Sequence, residues 1–432
     1  MHSNLIPALV KRHAGDAAFY WTLHNKSALS PHLQPERLWH FSQLLGAHLE
    51  GLQVAGPAGL VILRGELQRW RGAGEAFALA WAAIRLHDEA ALAQLLAEIR
   101  QQPDSLLRGL ISALACLPAS DVAPLITAWS QPGAGTVEAV AALRAIALRP
   151  DAVAGAPVSV PDHWLQHESP HVRAAACRVA AALPVTPPAA LDALRNDADS
   201  AVRAEAAIAL AHHGLASGAA ATLLRSVQEQ LAVLASASGW YQQQAQRRLQ
   251  RWLRHLAWLV PPGHPDVPAL LEHLPPRQAL HFVLQHGDPA LRGFVLRQLE
   301  QPEHARLAGW VWQTLTGVDL HANGLLLPEP PYDPDQPLHE ANPDADDGLP
   351  LPNPAAVRAC DAALSLPVGQ RLLLGQPHSP ENLLMVLHEA PQALRQIATR
   401  ALRQFAPQHG LNIRAPWWQQ HAALAALSGA ER

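Results

Sequence analysis

Lysine and methionine are almost absent from this chain of 432 residues. The lysines are Lys11 and Lys26, and the methionines are Met1 and Met385. Two lysines near the N-terminus provide no P-loop lysine and argue against Schiff-base chemistry. A sequence rich in Arg, Ala and Pro but poor in Lys and Met is typical of GC-rich coding sequence. The number of arginines therefore carries no functional weight by itself.

Cysteines are also few, and Cys116, Cys177 and Cys360 lie far apart in apolar surroundings. Three distant cysteines form neither a disulfide framework nor a CxxC zinc pair, and they favour a reducing compartment. The N-terminus lacks the charged-then-apolar layout of a signal peptide, and no apolar run approaches the ~20 residues of a membrane span. We expect a cytoplasmic protein that makes no membrane contact.

Charged residues make up only 16 % of the sequence, and 32 basic against 36 acidic residues give a net charge of −4. A nucleic-acid-binding protein usually needs a basic surface to displace counterions, so we do not expect nucleic acid as a partner. The net charge does not exclude a local basic groove. Hydrophobic residues make up 49 %, which is enough for a sizeable core in several domains or in one repeat array.

A short pattern recurs along the chain, in which a small or acidic residue is followed four positions later by arginine. Ala- and Leu-rich amphipathic stretches follow each copy. The arginines are 65, 30, 89 and 103 residues apart, and the first three spacings approximate multiples of about 30, the length of a helical-pair repeat. The copies are Asp104–Arg108, Ser169–Arg173, Asp199–Arg203, Asp288–Arg292 and Pro391–Arg395.

We interpret the polar residues of this pattern as structural residues of the repeat turns. A guanidinium can bind an aspartate or a carbonyl group of a neighbouring turn and so hold the stack together. The alternative is a row of arginines on an inner face that would bind phosphates or an acidic partner. The residues assigned to the turns are Asp104, Arg108, Arg173, Asp199, Arg203, Asp288, Arg292 and Arg395.

The stretches Val172–Ala176 and Asp199–Leu210 resemble HEAT repeats, in which Asp and Arg lie at the turn and at the start of the second helix. This resemblance implies an all-α, HEAT-like α-solenoid of the armadillo-type superhelix class, and such repeats must stack to bury their apolar faces. The expected domains are a divergent N-terminal helical region (1–85), HEAT-like repeats (86–310), an acidic Pro-rich insert (311–356) and a C-terminal helical repeat and cap (357–432).

Other segments give a narrower resemblance, to an uncharacterised bacterial HEAT-repeat family whose genes often lie beside type VI secretion genes. This resemblance implies a non-catalytic protein-binding scaffold, acting as adaptor, chaperone or immunity protein for a secreted effector. It supplies no catalytic residue and no cofactor. The segments are Leu44–Gly56, Gly74–Ala78, Thr314–Leu320, Pro352–Val357, Pro367–Gly375 and Ile413–Gln420.

The insert has an unusual core between residues 328 and 354, with nine prolines, seven acidic residues and no Lys or Arg. Such a composition does not pack into a core and predicts an extended loop. The loop is either a solvated connector or an acidic arm that contacts a partner through Asp344, Asp346 and Asp347. A calcium loop is rejected because the twelfth position is Ala355 rather than an acid.

Tryptophan is abundant, with 13 copies against three tyrosines and six phenylalanines. Trp310 and Trp312 are two positions apart and would project differently from one helix. Trp417 and Trp418 follow Pro416, where a helix is expected to start. These four either close the last layers of the stack or anchor a partner, since Trp is enriched in interface hot spots.

The string His167-Glu168-Ser169-Pro170-His171 fits the HExxH zinc motif. That motif requires an unbroken helix, and Pro170 between the two histidines breaks it, so we expect no metal site even though His163 lies four residues earlier. No catalytic residue is assigned. The rival hypothesis is an enzyme or nucleic-acid-binding protein on a HEAT scaffold, of the DNA-base or bilin-lyase type. Unpaired repeat arginines would favour its DNA-binding version.

Overall fold

Helices form nearly all of the regular structure in the computed structural model of this chain. The structure describes residues 6–149, 160–183, 189–215, 218–328, 346, 348–405 and 411–429. The expected all-α class is confirmed. Among the described helices, none has both the length and the apolar character that crossing a bilayer requires.

Two compact units divide the chain. One unit holds Met1–Thr222 and Leu387–Arg432, and the other holds Leu223–Val386. These limits differ from the boundaries at 85, 310 and 356 that the sequence suggested. The helices up to residue 212 are α1 (Pro7–Lys26), α2 (Pro35–Trp70), α3 (Ala73–Arg85), α4 (Glu89–Gln101), α5 (Pro103–Cys116), α6 (Ala119–Trp129), α7 (Thr136–Leu148), α8 (Asp162–Leu165), α9 (Pro170–Ala182), α10 (Ala189–Ala193) and α11 (Ser200–His212).

The remaining described chain contains ten further helices and one short hairpin. The helices are α12 (Ala219–Ser236), α13 (Gly239–Leu259), α14 (Val267–His273), α15 (Pro276–His286), α16 (Arg292–Gln298), α17 (Ala305–Thr316), α18 (Pro354–Ala362), α19 (Pro380–Glu389), α20 (Gln392–Leu402) and α21 (Trp417–Gly429). The antiparallel strands of the hairpin are β1 (Leu372–Leu373) and β2 (Gln376–Pro377).

Local sequence explains where many helices begin and end. The Asp199 side chain accepts hydrogen bonds from the first backbone N–H groups of α11, and Asn353 does the same for α18. Such side-chain caps satisfy donors that have no partner within the helix. Pro170 occupies the first position of α9, where its missing N–H group is not needed.

In the first unit, helices α3, α5, α7, α9 and α11 form a row in which each packs against the next. The helices between them lie beside this row, with α4 on α5, α6 on α7, α8 on α9 and α10 on α11. Small residues allow close packing. A Cβ atom at Gly109 of α5 would overlap the carbonyl oxygen of Ala73 and the backbone nitrogen of Phe77 in α3.

In the second unit, α15 packs against both α13 and α17, and the β1–β2 hairpin lies at the ends of α15 and α17. The Leu372 N–H donates to the carbonyl of Gly287, and the Leu374 N–H donates to that of Thr314, both over 2.7 Å. Arg371 donates to the carbonyl groups at the end of α13, including that of Val260 over 2.6 Å. Cationic donors stabilise helix C-termini in this way.

The expected insert begins later than the sequence suggested. Helix α17 continues through residues 311–316 because the side chains of Trp312 and Leu315 are buried in the second unit. Its end is fixed by Gly317 in the left-handed conformation, and α18 already starts at Pro354. Residues 329–345 and 347 lie outside the described residues.

Candidate functional site

Arg173 binds oxygen atoms of its own turn and of the next one, and Arg203 binds oxygen atoms of the turn before its own helix. Arg173 donates from Nε and Nη2 to the two carboxylate oxygens of Asp197, over 2.8 and 2.9 Å. Its Nη1 donates to the carbonyl groups of His167 and Glu168. Arg203 donates to the carbonyl groups of Asp197 and Ala198. These guanidiniums join consecutive segments of the first unit.

Arg292 and Arg395 also bind protein oxygen atoms. Arg292 donates to Asp361 over 3.1 Å. Arg395 is fully buried, donates to the Leu387 carbonyl over 2.8 Å, and lies 5.3 Å from the ring centre of Trp417. Burial lowers the pKa of Arg395 to about 10.

The three aspartates of the repeat pattern differ in burial and in hydrogen bonding. Asp199 caps α11. Asp288 is buried and accepts hydrogen bonds from the backbone N–H groups of Gly263 and Ala290. Asp104 lies exposed in the first turn of α5.

Arg108 is the exception among the repeat arginines. Its Nε and Nη2 donate to Asn25 Oδ1, at the end of α1, over 3.3 and 3.0 Å. Among the described residues, no carboxylate lies within ion-pair distance of its guanidinium. Arg108 therefore does not tie one repeat turn to the next, and its expected role is corrected.

Arg108 lines a cavity inside the first unit with about 30 Å³ of free space. A water molecule needs roughly 10–15 Å³ of such free space, so the cavity holds two or three atoms of the size of a water molecule. Residues of α1, α5 and the segment before α21 contribute most of the wall. The lining residues are Trp21, His24, Asn25, Leu45, Phe77, Arg108, Ser112, Ala115, Cys116, Leu148, Asn412, Arg414, Ala415, Pro416 and Gln419.

Two guanidiniums line the cavity. Arg414 lies beside Arg108, and its Nη1 is 3.4 Å from Asn25 Oδ1. Burial, together with the nearby charges of Arg414 and Arg178, lowers the pKa of Arg108 to about 9. Arg178 itself is paired with Glu205 over 2.8 Å. Arg108 remains charged at neutral pH and is half-buried, so its guanidinium keeps part of its contact with water.

Two other titratable groups of the cavity are neutral at pH 7. Burial lowers the pKa of His24 to about 4, and its Nε2 has no hydrogen-bond partner among the described residues. Burial raises the pKa of the Cys116 thiol to about 12, despite the opposing charge of Arg149. A protonated, buried thiol is a poor nucleophile, so the cavity is better suited to binding than to covalent chemistry.

Several polar groups of the cavity wall have no partner within the described part of the chain. They are Arg108 Nη1, Asn25 Nδ2, Asn412 Nδ2 and Ser112 Oγ. Gln419 differs, because its Nε2 donates to the carbonyl groups of Ala115 and Cys116. The cavity thus offers an excess of hydrogen-bond donors over acceptors.

The four tryptophans expected at a partner surface have different environments. Trp312 is fully buried, and its Nε1 donates to Asp361 over 2.8 Å, so its expected role as a partner contact is corrected. Trp310 and Trp417 are half-buried. Trp418 is 42 % exposed, and its ring lies against Gly46 of α2.

Asp346 does not belong to an exposed acidic arm. Only 4 % of its surface is exposed, and it accepts from Arg277 of α15 over 2.7 Å. Its expected role as a partner contact is therefore corrected to an internal ion pair. The other two acidic residues predicted there, Asp344 and Asp347, lie outside the described residues.

The HExxH string does not form a single helix. Helix α9 begins at Pro170, so His167 and Glu168 precede it. Arg173 binds the carbonyl groups of both residues. In the described part of the chain, no group of three or more His, Cys, Asp or Glu residues is placed to hold a metal ion.

No protein-family model, curated protein or solved structure matches this chain. Sequence reasoning identified Arg108 but missed His24, Asn25 and Arg414. The segments Leu44–Gly56, Gly74–Ala78 and Ile413–Gln420, which carry part of the sequence resemblance, each contribute to the cavity wall.

Proposed function

We propose that this chain is a non-catalytic protein-binding scaffold whose first unit is a HEAT-like solenoid. The observation that supports this proposal is the row from α3 to α11, in which every second helix packs on the next member of the row and the helices between them lie beside it. Stacked helical pairs of this kind create extended surfaces that bind proteins. The turn contacts of Arg173 and Arg203 fit the same arrangement.

The cellular role that we propose is an accessory one in type VI secretion, as adaptor, chaperone or immunity protein for an effector. Its support is the sequence resemblance of the six segments described above. We also propose the cytoplasm as its compartment, because Cys116, Cys177 and Cys360 are free thiols.

The rival hypothesis, an enzyme or nucleic-acid-binding protein, has less support. A DNA-binding version would need repeat arginines that are free to contact phosphates. Arg173 and Arg292 bind carboxylates, and Arg203 binds backbone carbonyl groups. These contacts favour the structural interpretation of the repeat arginines.

Affinity purification from the native cell at low salt, followed by mass spectrometry, tests the proposed function. We expect a toxin-like effector or a secretion component to be recovered. Trp418→Ala should weaken this capture, because Trp418 is the most exposed of the four tryptophans that the sequence predicts as partner contacts. Trp70→Ala is the matched control, since Trp70 is 60 % exposed at the end of α2. Recovery of nucleic acid alone, or of no protein, would contradict the proposal.

A further inference from the structure

We propose that the cavity around Arg108, Asn25 and Arg414 is a binding site for a carboxylate group. This inference goes beyond the scaffold function, because it assigns a ligand chemistry to a specific site. It also stands without any identified protein partner. The charge around Arg108, the free donors of the cavity and its size support this inference.

The charge balance favours an anion. Two guanidiniums, those of Arg108 and Arg414, lie within hydrogen-bonding distance of one neutral oxygen, Asn25 Oδ1. Among the described residues, Arg108 has no carboxylate partner, whereas its counterpart Arg173 has Asp197. Arg108 is half-buried, so its guanidinium is partly removed from water without a counter-ion, and a bound anion would offset that cost.

A purely structural role for Arg108 is the alternative. Asn25 lies in the last turn of α1, where carbonyl groups carry partial negative charge that a guanidinium can compensate. However, Arg108 donates to the side chain of Asn25 and to no backbone carbonyl of α1. Its Nη1 has no partner in the described chain, so at least one donor remains available to a ligand.

The small free space of the cavity favours a small group. Its 30 Å³ of free space holds two or three atoms of water size, which matches a carboxylate head and is tight for a phosphate. Guanidinium binds carboxylate through two parallel hydrogen bonds. The side chains of Trp21, Leu45 and Phe77 form an apolar part of the cavity wall. A short aliphatic stem of the carboxylate ligand can pack against it.

Two sources can supply the carboxylate: a small organic acid, or an acidic residue or C-terminus of a polypeptide. The first probe is sodium acetate, added to the full-length protein in a buffer free of carboxylates, with sodium chloride holding ionic strength constant. Binding is measured by saturation-transfer NMR. Acetamide, which is uncharged but of the same shape, is the control ligand and should not bind.

Variants locate the site. Arg108→Met should weaken acetate binding at least tenfold, and Arg108→Lys should weaken it less, because lysine keeps the charge but loses the two-pronged geometry. Arg37→Gln changes an exposed arginine of α2 and should leave the affinity unchanged. Circular dichroism checks that each variant is folded. Arg108→Lys remains informative if Arg108→Met does not fold.

A short acidic peptide separates the two sources. If it binds more tightly than acetate and depends on Arg108, the site takes a polypeptide carboxylate. If acetate binds and the peptide does not, the site takes a small organic acid. The proposal is overturned if acetate does not bind, if Arg108→Met and Arg108→Lys bind it as the unchanged protein does, or if inorganic phosphate binds ten times more tightly than acetate.

Discussion

Arg108 donates twice to a single atom, Asn25 Oδ1, and so connects α5 with the end of α1 across 83 residues of sequence. Arg173 occupies the same place in the repeat pattern, yet it binds the carboxylate of Asp197. One arginine is therefore neutralised within the fold, whereas the other faces only an uncharged amide. This difference separates a structural residue from a candidate ligand-binding residue.

The pair of Arg173 and Asp197 provides a test of the structural contacts in the repeat turns. Arg173→Ala and Asp197→Ala should each destabilise the fold, and a double-mutant cycle should give a coupling of about 1 kcal/mol, since both side chains are largely buried. Denaturant unfolding of the unchanged protein, the two single variants and the double variant measures this coupling. A coupling near zero would show that this ion pair does not stabilise the turn.

We expect the stabilisation by the Arg173–Asp197 ion pair to depend on pH. Burial alone would raise the pKa of Asp197, but hydrogen bonds from Arg173 and from the Asp199 N–H outweigh it and lower the pKa. A carboxylate with a lowered pKa in the folded state stabilises the fold above its unfolded pKa of about 4. The coupling should therefore be constant from pH 7 to pH 5 and decline at lower pH.

Gly109 tests the close packing of α3 and α5. Gly109→Ala should destabilise the protein by about 2–3 kcal/mol, because the new methyl group would overlap the backbone of α3. Gly65→Ala is the control, since no atom lies within 4 Å of a Cβ atom at that position of α2. It should be neutral or stabilising by up to about 1 kcal/mol. Equal effects of the two substitutions in thermal unfolding would contradict the packing.

Buried histidines should make the protein sensitive to acid. Burial lowers the pKa of His24, His281, His286 and His378 to about 4 in each case. Between pH 6.5 and pH 4 the unfolded chain takes up protons that the folded chain does not, so stability must fall as the pH falls. One fully buried histidine can account for about 3 kcal/mol over this range.

His24→Leu should reduce this sensitivity, because it removes one of the groups that protonate on unfolding. The measurement is the free energy of unfolding at pH 7, 5.5 and 4.5. His40→Gln replaces an exposed histidine of α2 and serves as the control. If His24→Leu and the control show the same pH profile, His24 is not the buried neutral group described here.

A substitution of Asp346 tests whether this residue forms an internal ion pair with Arg277. Asp346→Asn should destabilise the second unit by about 1–3 kcal/mol, because Arg277 would lose its ionised partner. Asp266→Asn alters an exposed aspartate at the start of α14 and should change stability little. A partner-binding role without a structural one would give the opposite result, with stability unchanged and partner capture reduced.

Local features of the fold could be predicted from the sequence. Asp199 as the start of α11 follows from capping preferences, and the break at Pro170 follows from proline geometry. The all-α class is expected from the resemblance to HEAT repeats. The burial of Trp312 and the exposure of Trp418 could not be predicted, because spacing alone does not show which helix face meets a neighbour. The HEAT-like arrangement stays a prediction.

The candidate site could not be predicted from the sequence, for a different reason. Its polar groups come from Asn25, Arg108 and Arg414, which only the packing of distant segments brings together. The repeat pattern drew attention to Arg108 but assigned it a turn contact. No local spacing indicates that its partner is an amide of α1 rather than an aspartate.

The most direct test compares Arg108→Met with Arg173→Met in thermal and denaturant unfolding, with and without acetate. Without acetate, Arg108→Met should stay within about 1 kcal/mol of the unchanged protein, because the lost hydrogen bonds to Asn25 are offset by removal of an uncompensated charge. Arg173→Met should lose about 2–3 kcal/mol. Acetate should stabilise the Arg173 variant but not the Arg108 variant. Equal losses of stability, together with equal stabilisation by acetate, would contradict the account.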